Sequence, residues 1–266
     1  MSKPLAPLTP AAPALLTGCF DGISLEELNS KAAMLERLDN KYIVTGETLQ
    51  AAVRYLAEHF DILEIDGERR FTYDTCYFDD ERYSSYFSHH QGRRKRMKVR
   101  VRQYVEAKLC FVEIKLKALR GSTIKKRFNH AVEEHGRLDK QDFTRILDTC
   151  TEFYGERLYG SLAPVLNMRY RRMTLVAKQG GERMTIDGDL SFSHADQTLD
   201  IAQDAFIVET KSSNGMGIAD GILRRFHQHP TAHCSKYCVG MAALKLVPRY
   251  NQFLPALRRL GLAAAA

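Results

Sequence analysis

Hydrophobic and charged residues alternate strictly in two neighbouring stretches of the chain, 98–102 and 112–117. A period of two is typical of β-strands, because successive side chains of a strand point to opposite faces. The pattern predicts an antiparallel hairpin, with a third strand beginning near Thr123 after a turn at Arg120–Gly121. The polar face of the predicted hairpin is almost entirely cationic and carries Lys98, Arg100, Arg102, Glu113, Lys115 and Lys117.

A period of two also predicts the other strands, and apolar residues spaced three or four positions apart predict the helices. Strands are expected over 37–44, 61–65, 70–78, 164–176, 183–190 and 206–211, and helices over 24–35, 48–60, 83–90, 139–154 and 215–229, with a last helix from Ser235. Most of the eight or nine strands join as antiparallel hairpins, and nearly every strand has one apolar and one charged face. We therefore predict an α+β fold: an antiparallel β-barrel or tunnel with a polar, cationic lumen and helices packed outside.

No internal repeat or linker divides the chain, so residues 23–250 are predicted to form a single domain. Residues 1–22 are expected to be a disordered leader, because Pro4, Pro7, Pro10 and Pro13 recur at every third position, which favours extended backbone. Residues 251–266 are expected to be an alanine-rich tail.

Composition and charge narrow the class of protein. The 266 residues have a formal net charge of +7 and contain no run of about 18 apolar residues, so an acidic partner is plausible and no transmembrane helix is expected. The six cysteines lack metal-ligand spacing and fit a reducing cytoplasm. The alternative location is a lipoprotein attached through Cys19, which follows a Leu-Thr-Gly triplet, although the preceding stretch is a poor signal peptide.

A cationic sheet face has two interpretations. An ordinary solvated face would mix charges of both signs, because like charges directly opposite each other on neighbouring strands are destabilising. Lysines and arginines pooled on one face instead favour a site for several phosphates. No aromatic side chains are interleaved on this face for base stacking, so we expect no specific nucleic-acid partner.

Seven segments occur in an order that resembles a known family. They are RLDNKYIV (37–44), YDTCYFDD (73–80), a block over 92–128 containing KVRVRQY and VEIKLK, MRYRRMTLV (168–176), RMTIDGDL (183–190), IVETK (207–211) and SKY (235–237). The sequence resembles the polyphosphate polymerase (VTC) domain of the vacuolar transporter chaperone family, within the CYTH/triphosphate tunnel metalloenzyme superfamily.

The resemblance implies a tunnel in which the γ-phosphate of ATP is transferred to a growing polyphosphate chain, with Mn²⁺ or Mg²⁺ assisting. Phosphoryl transfer needs mainly positioning and charge neutralisation, which suits a cationic lumen. The positions that match catalytic cations of the family are Lys41, Arg100, Arg102, Lys115, Arg172 and Arg183. Further matches, to substrate-binding positions, are Lys126 (or its neighbour Lys125), Lys236 and Ser235, and the cationic faces add Arg37, Lys98, Lys117 and Lys211.

Three carboxylates are candidates for the metal. Glu209 matches the metal-holding glutamate of the family, and Lys211 beside it would contact phosphate. Asp39 stands where superfamily members often have glutamate, so its shorter side chain leaves a direct metal contact open. Glu113 either joins the metal site or separates the lysines electrostatically.

Two other functions stay open at this point. Water in place of the chain end would make the protein a hydrolase of tripolyphosphate or of a nucleoside triphosphate. Binding without turnover would make it a polyphosphate-binding module. In either case, transport of a product across a membrane would need a separate membrane protein.

Overall fold

Eleven β-strands lie within residues 16–31, 38–117, 123–155 and 160–262, which are the residues that this computed structural model describes. They are β1 (Gly22–Ile23), β2 (Leu38–Thr45), β3 (Phe60–Leu63), β4 (Phe71–Asp79), β5 (Met97–Tyr104), β6 (Leu109–Lys117), β7 (Thr123–His130), β8 (Ala163–Ala177), β9 (Arg183–His194), β10 (Gln197–Asp200) and β11 (Ala205–Ser212).

The α-helices that lie wholly within the described residues are 6 to 15 residues long, and side-chain caps fix several of their ends. They are α1 (Leu25–Lys31), α2 (Gly46–His59), α3 (Ser84–His90), α4 (Lys140–Tyr154), α5 (Ile218–Arg225), α6 (Lys236–Ala243) and α7 (Leu254–Arg259). The helix α4 begins at a capping box formed by Asp139 and Asp142, and it ends at Gly155 in the left-handed region at φ 73°. A capping box of Ser24 and Glu27 is present before α1.

Several predictions concern residues outside the described ranges. Arg37, most of the proposed leader and the turn at Arg120–Gly121 are among them, as is the end of the alanine-rich tail. The beginning of that tail, by contrast, contains the helix α7.

The chain divides into two compact units. The first unit comprises Met1–Arg70, Met173–Gly188 and Gln203–Thr231. Within it, β11 lies between β2 and β9 in antiparallel pairing, while β3 pairs with β1 in parallel and with β8 antiparallel. Alternate residues of these strands pack against α2 and α5 in one apolar core, which includes Val44, Leu56, Ile186, Val208 and Ile222.

The second unit comprises Phe71–Arg172, Asp189–Ala202 and Ala232–Ala266. Its strands pair in the order β8-β4-β5-β6-β7, all antiparallel, and β10 pairs with β9. One face of this sheet is apolar and is covered by α4, so that Val99, Val112, Ile114 and Leu116 pack with Ile146. The opposite face carries the charged residues of the same strands.

The α+β class, the antiparallel pairing and the apolar sheet faces covered by helices are confirmed. The short strands β1 and β10 were not predicted, because segments of two and four residues are too short to show a period. The predicted strand over 183–190 is confirmed: β9 contains it and extends to His194, and Asp187 pairs with Ile207.

No helix among the described residues is long and apolar enough to cross a membrane. The six cysteines are free thiols; Cys19 is exposed and the other five are buried.

Candidate functional site

The polar face of β5, β6 and β7 concentrates positive charge. Across these strands, Lys98 lies opposite Lys115, which in turn lies opposite Lys125. In the next register position, Arg100 and Arg127 flank Glu113. Within these three strands, the face therefore holds one carboxylate and seven cationic residues, which are Lys98, Arg100, Arg102, Lys115, Lys117, Lys125 and Arg127.

Glu113 organises the cations around it. Its side chain is 1% exposed, and its Oε2 accepts hydrogen bonds from Nε and Nη2 of Arg100 at 2.7 and 2.6 Å. Its Oε1 pairs with Lys125, and Nη1 of Arg102 lies 3.8 Å from Oε2. Burial alone would raise the pKa of this carboxyl, but the charges of Arg100, Arg102 and Lys125 outweigh it and lower the pKa well below the usual value. Glu113 is therefore ionised.

The structure places Lys125 and Lys126, between which the sequence comparison could not choose, on opposite sides of β7. Lys125 shares the cationic face with Glu113, whereas Lys126 lies opposite Ile114, on the side of β7 that bears Phe128. Burial and the nearby arginines lower the pKa of Lys125 to about 8, although Glu113 pulls it upward. Lys125 is thus the member of the pair that lies on the same face as Arg100, and both contact Glu113.

Tyrosines share this face with the arginines, so the premise that no aromatic residues are interleaved on it is wrong. The registers of β4 and β8 place Tyr73 and Tyr170 opposite each other, and the rings stack at 5.3 Å. Arg102 and Arg172 lie over the rings, and Arg102 is only 5% exposed. The two rings contact each other and the guanidinium groups, so these contacts already take up the ring faces that a base would stack on. The absence of a specific nucleic-acid partner stays a prediction.

The start of α6 contributes the predicted SKY residues to the second unit. Ser235 is the N-cap of α6, and its Oγ accepts a hydrogen bond of 2.7 Å from Lys98 Nζ. The same Nζ lies 3.2 Å from Nδ1 of His89, whose pKa falls to about 2 through burial and the neighbouring cations. Because His89 is neutral, its Nδ1 can accept a hydrogen bond from the ammonium group of Lys98. Lys236 lies 5.4 Å from the centre of the Tyr170 ring.

The remaining predicted residues lie in the first unit, on β2, β9 and β11. Glu209 pairs with Lys41 at 3.1 Å and also with Lys211, while Lys211 contacts Asp39 at 3.0 Å. On β9, the other neighbour of β11, Arg183 lies directly opposite Lys211. The five residues named here are therefore neighbours on a single face, as the alternation of the three strands predicted.

Asp39 and Glu209 suit a hard divalent cation. Among the residues that the structure describes, no three His, Cys, Asp or Glu side chains are grouped to hold a metal ion. Mg²⁺, however, is commonly held by one or two carboxylates with water and substrate phosphates completing its shell. Asp39 and Glu209 offer such a pair, because both contact the same ammonium group, that of Lys211. Glu113 is less suited to a metal ion than this pair, because three cationic side chains already surround its carboxylate.

Sequence reasoning missed several residues of these sites. Arg127 alternates with Lys125 and could have been placed on the cationic face by the period of two. Tyr73 and Tyr77 also alternate, but nothing in the sequence pairs β4 with β5 and β8. The contact between His89 and Lys98 joins a helix to a strand, so no periodicity could reveal it.

The fold and its sites define an α+β protein with a strongly cationic face on an antiparallel sheet. The model of the VTC domain family matches residues 36–245, and the chain belongs to this family. No curated protein matches the chain.

Solved structures with similar backbones are more distant. One is the putative adenylyl cyclase HpAC1 from Hippeastrum, described as having a dominant triphosphatase activity. Its TM-score is 0.49 at 14% identity, over 80% of this chain and 98% of that chain. Another is the PH1819 protein from Pyrococcus horikoshii OT3, with a TM-score of 0.43 at 14% identity, over 79% of this chain and 98% of that chain.

Proposed function

We propose that the protein is an ATP-dependent polyphosphate polymerase. A terminal oxygen of the polyphosphate chain attacks the γ-phosphorus of ATP, the bond from that phosphorus to the β-γ bridging oxygen breaks, and ADP leaves with the electron pair. Membership of the VTC domain family supports the proposal. The single observation that carries it is the cationic face of β5, β6 and β7, which holds seven cationic residues and a single buried carboxylate.

A row of like charges is costly unless an anion occupies it. Lys98, Lys115 and Lys125 stand opposite one another on neighbouring strands, an arrangement that destabilises a sheet. Glu113 offsets part of this repulsion, and a chain of phosphates would offset the rest. Such a chain presents several anionic oxygens along its length, which suits cations repeated on neighbouring strands.

The cations of each unit have distinct roles in this proposal. In the second unit, Arg100, Arg102 and Arg172 offer planar forks to phosphate oxygens, and Lys115 acts as a more mobile charge. These groups would neutralise phosphate charge in the second unit. Within the first unit, Lys41 and Arg183 are the cations proposed for the same role. The proposed substrate-binding residues are Lys98, Lys117, Lys125, Lys211, Ser235 and Lys236. Lys126 is left out because it lies on the opposite side of β7, and Arg37 lies outside the described residues.

Glu209 and Asp39 would hold Mn²⁺ or Mg²⁺, with substrate oxygens completing the shell. The bound ion would neutralise phosphate charge during transfer. Before an ion binds, Lys41 and Lys211 neutralise these carboxylates. We assign Glu113 to ordering Arg100, Arg102 and Lys125 rather than to the metal.

We further propose that residues 23–250 form the working domain and that the protein acts in the cytoplasm. ATP and polyphosphate would be its ligands, and export of the product would need a separate membrane protein. The leader at 1–22 and the tail at 251–266 have no role in the chemistry.

The fate of the γ-phosphate tests this proposal. Purified protein is incubated with ATP and Mn²⁺ while ADP, free phosphate and chain product are measured together. The polymerase predicts chain product in step with ADP. ADP with an equal amount of free phosphate would instead identify a hydrolase, and tight polyphosphate binding without ADP release would identify a binding module.

A further inference from the structure

In the second unit, two stacked tyrosines contact the same two arginines, Arg102 and Arg172. The rings of Tyr73 and Tyr170 are 5.3 Å apart and inclined by 16°. The guanidinium carbon of Arg102 lies 5.2 and 5.8 Å from the two ring centres, and that of Arg172 lies 5.0 and 5.3 Å from them. Each arginine therefore contacts both rings, so the stack links two groups of the same charge.

The electrostatics of aromatic rings explain why this arrangement is stable. The face of a ring is negative, so it attracts a cation within about 6 Å of its centre, and guanidinium groups also stack on it through their planes. Without such a surface, the two guanidinium groups, which come from β5 and β8 on either side of β4, would repel each other and turn away from one site. The ring faces allow both to stay.

Arg102 is fixed from further directions. Its Nε donates a hydrogen bond of 3.3 Å to Oγ1 of Thr75, and its Nη1 lies 3.8 Å from Glu113. These contacts occupy an edge of the guanidinium group, whereas the rings set its plane. Burial raises the pKa of Tyr73 to about 12, so its ring carries a neutral phenol.

We propose that Tyr73 is a positioning residue, whose ring holds Arg102 and Arg172 in the orientation that binds adjacent phosphates of one anion. This inference rests on the proposed function, because it assumes that the two arginines bind phosphate. Tyr73 itself needs no contact with the anion. Its effect passes through the two guanidinium groups.

Tyr104 provides a matched control within the same aromatic cluster. Its ring lies 4.8 Å from that of Tyr73 and 5.8 Å from that of Phe111. Replacement of Tyr104 therefore disturbs the packing of Tyr73 but leaves the ring that faces the arginines. A purely structural role of the cluster would make the two tyrosines equivalent.

The test measures binding of tripolyphosphate by calorimetry, without metal, to the full chain and to four variants. We expect Tyr73→Leu and Tyr73→Met to weaken binding about tenfold, in line with the strength of buried cation–π contacts. Tyr73→Phe keeps the ring and should stay within about twofold of the wild type, as should Tyr104→Leu. Met fills irregular space more readily than Leu, so it serves if Tyr73→Leu does not fold.

The outcomes separate the inference from the function on which it rests. A wild type that does not bind tripolyphosphate overturns the proposed function and this inference together. Binding by the wild type that Tyr73→Leu and Tyr73→Met retain in full overturns the inference alone. A loss in Tyr73→Phe or Tyr104→Leu as large as in Tyr73→Met also overturns it, because the ring face would then not be the cause.

Discussion

The hydroxyl of Tyr237 donates a hydrogen bond of 2.6 Å to Oδ2 of Asp79 in the interior of the second unit. Asp79 ends β4, and Tyr237 is the second residue of α6. Backbone N–H groups of Asp80, Ser85 and Tyr86 donate to the same carboxylate. This cluster fixes the start of α6, where Ser235 and Lys236 lie.

Tyr237→Phe should lower the free energy of unfolding by about 1–3 kcal/mol, because a buried carboxylate loses a hydrogen-bond donor. Burial and the Asp79 charge already raise the pKa of Tyr237, so the hydroxyl stays protonated and available as a donor. Urea denaturation measures the effect. Tyr55→Phe removes a hydroxyl that bonds Arg54 at the surface, and it should change stability by no more than about 0.5 kcal/mol. Equal stabilities for Tyr237→Phe and the wild type would contradict the role of this hydrogen bond.

Glu113→Gln should lower the free energy of unfolding by about 3–5 kcal/mol near pH 7, because it leaves three cations without their buried partner. The folded pKa of Glu113 lies below its unfolded value, so the stability that it contributes is present above the unfolded pKa and is lost as pH falls. The gap between wild type and variant should thus shrink below about pH 4. Denaturation at several pH values measures it, with the exposed Glu152→Gln as control. A gap that stays constant with pH would rule out the ionised carboxylate as its source.

Lys125 should make anion binding depend on pH in the mildly alkaline range. Its pKa of about 8 means that its ammonium group loses a proton between pH 7 and pH 9, and its attraction for phosphate goes with it. Affinity for tripolyphosphate should fall about tenfold over this interval in the wild type. In Lys125→Arg the charge persists, so the fall should be much smaller. An identical pH profile for the two proteins would exclude Lys125 as the titrating group.

Gly188→Ala should destabilise the first unit by about 1–3 kcal/mol, because an added Cβ would lie 2.7 Å from Cε1 of Phe206. Thermal unfolding measures the change. Gly221→Ala is the control, since its added Cβ has no neighbour within 4 Å and alanine favours the helix α5. This control should be neutral or stabilising. A Gly188→Ala protein as stable as Gly221→Ala would show that Phe206 moves aside without cost.

Local periodicity predicted much of the fold. The alternation around Lys98 and Glu113 identified β5 and β6, their antiparallel pairing and their cationic face, because these strands follow one another in the chain. The start of a helix at Ser235 and the capping box at Ser24 likewise depend on residues that are close together in the sequence. These features depend on spacing alone.

What the sequence could not show depends on contacts between distant residues. Tyr73 meets Tyr170 only because β4 pairs with β8, across nearly one hundred positions of chain. The choice between Lys125 and Lys126 needed the register of β7, which one residue of slip would reverse. The strand over 183–190 was predicted, but the reason for Gly188 was not: its missing side chain leaves room for the ring of Phe206.

The most direct test of the central claim compares wild type, Glu209→Gln and the exposed Glu47→Gln in the synthesis of polyphosphate from ATP, titrated with Mn²⁺. ADP and chain length are followed together. The account predicts chain product in step with ADP for the wild type and for Glu47→Gln. In Glu209→Gln, synthesis should fall at least about a hundredfold, or recover only at far higher Mn²⁺. Chain synthesis by Glu209→Gln at the wild-type rate and Mn²⁺ dependence would contradict the metal assignment, and release of free phosphate without chain by the wild type would contradict the polymerase.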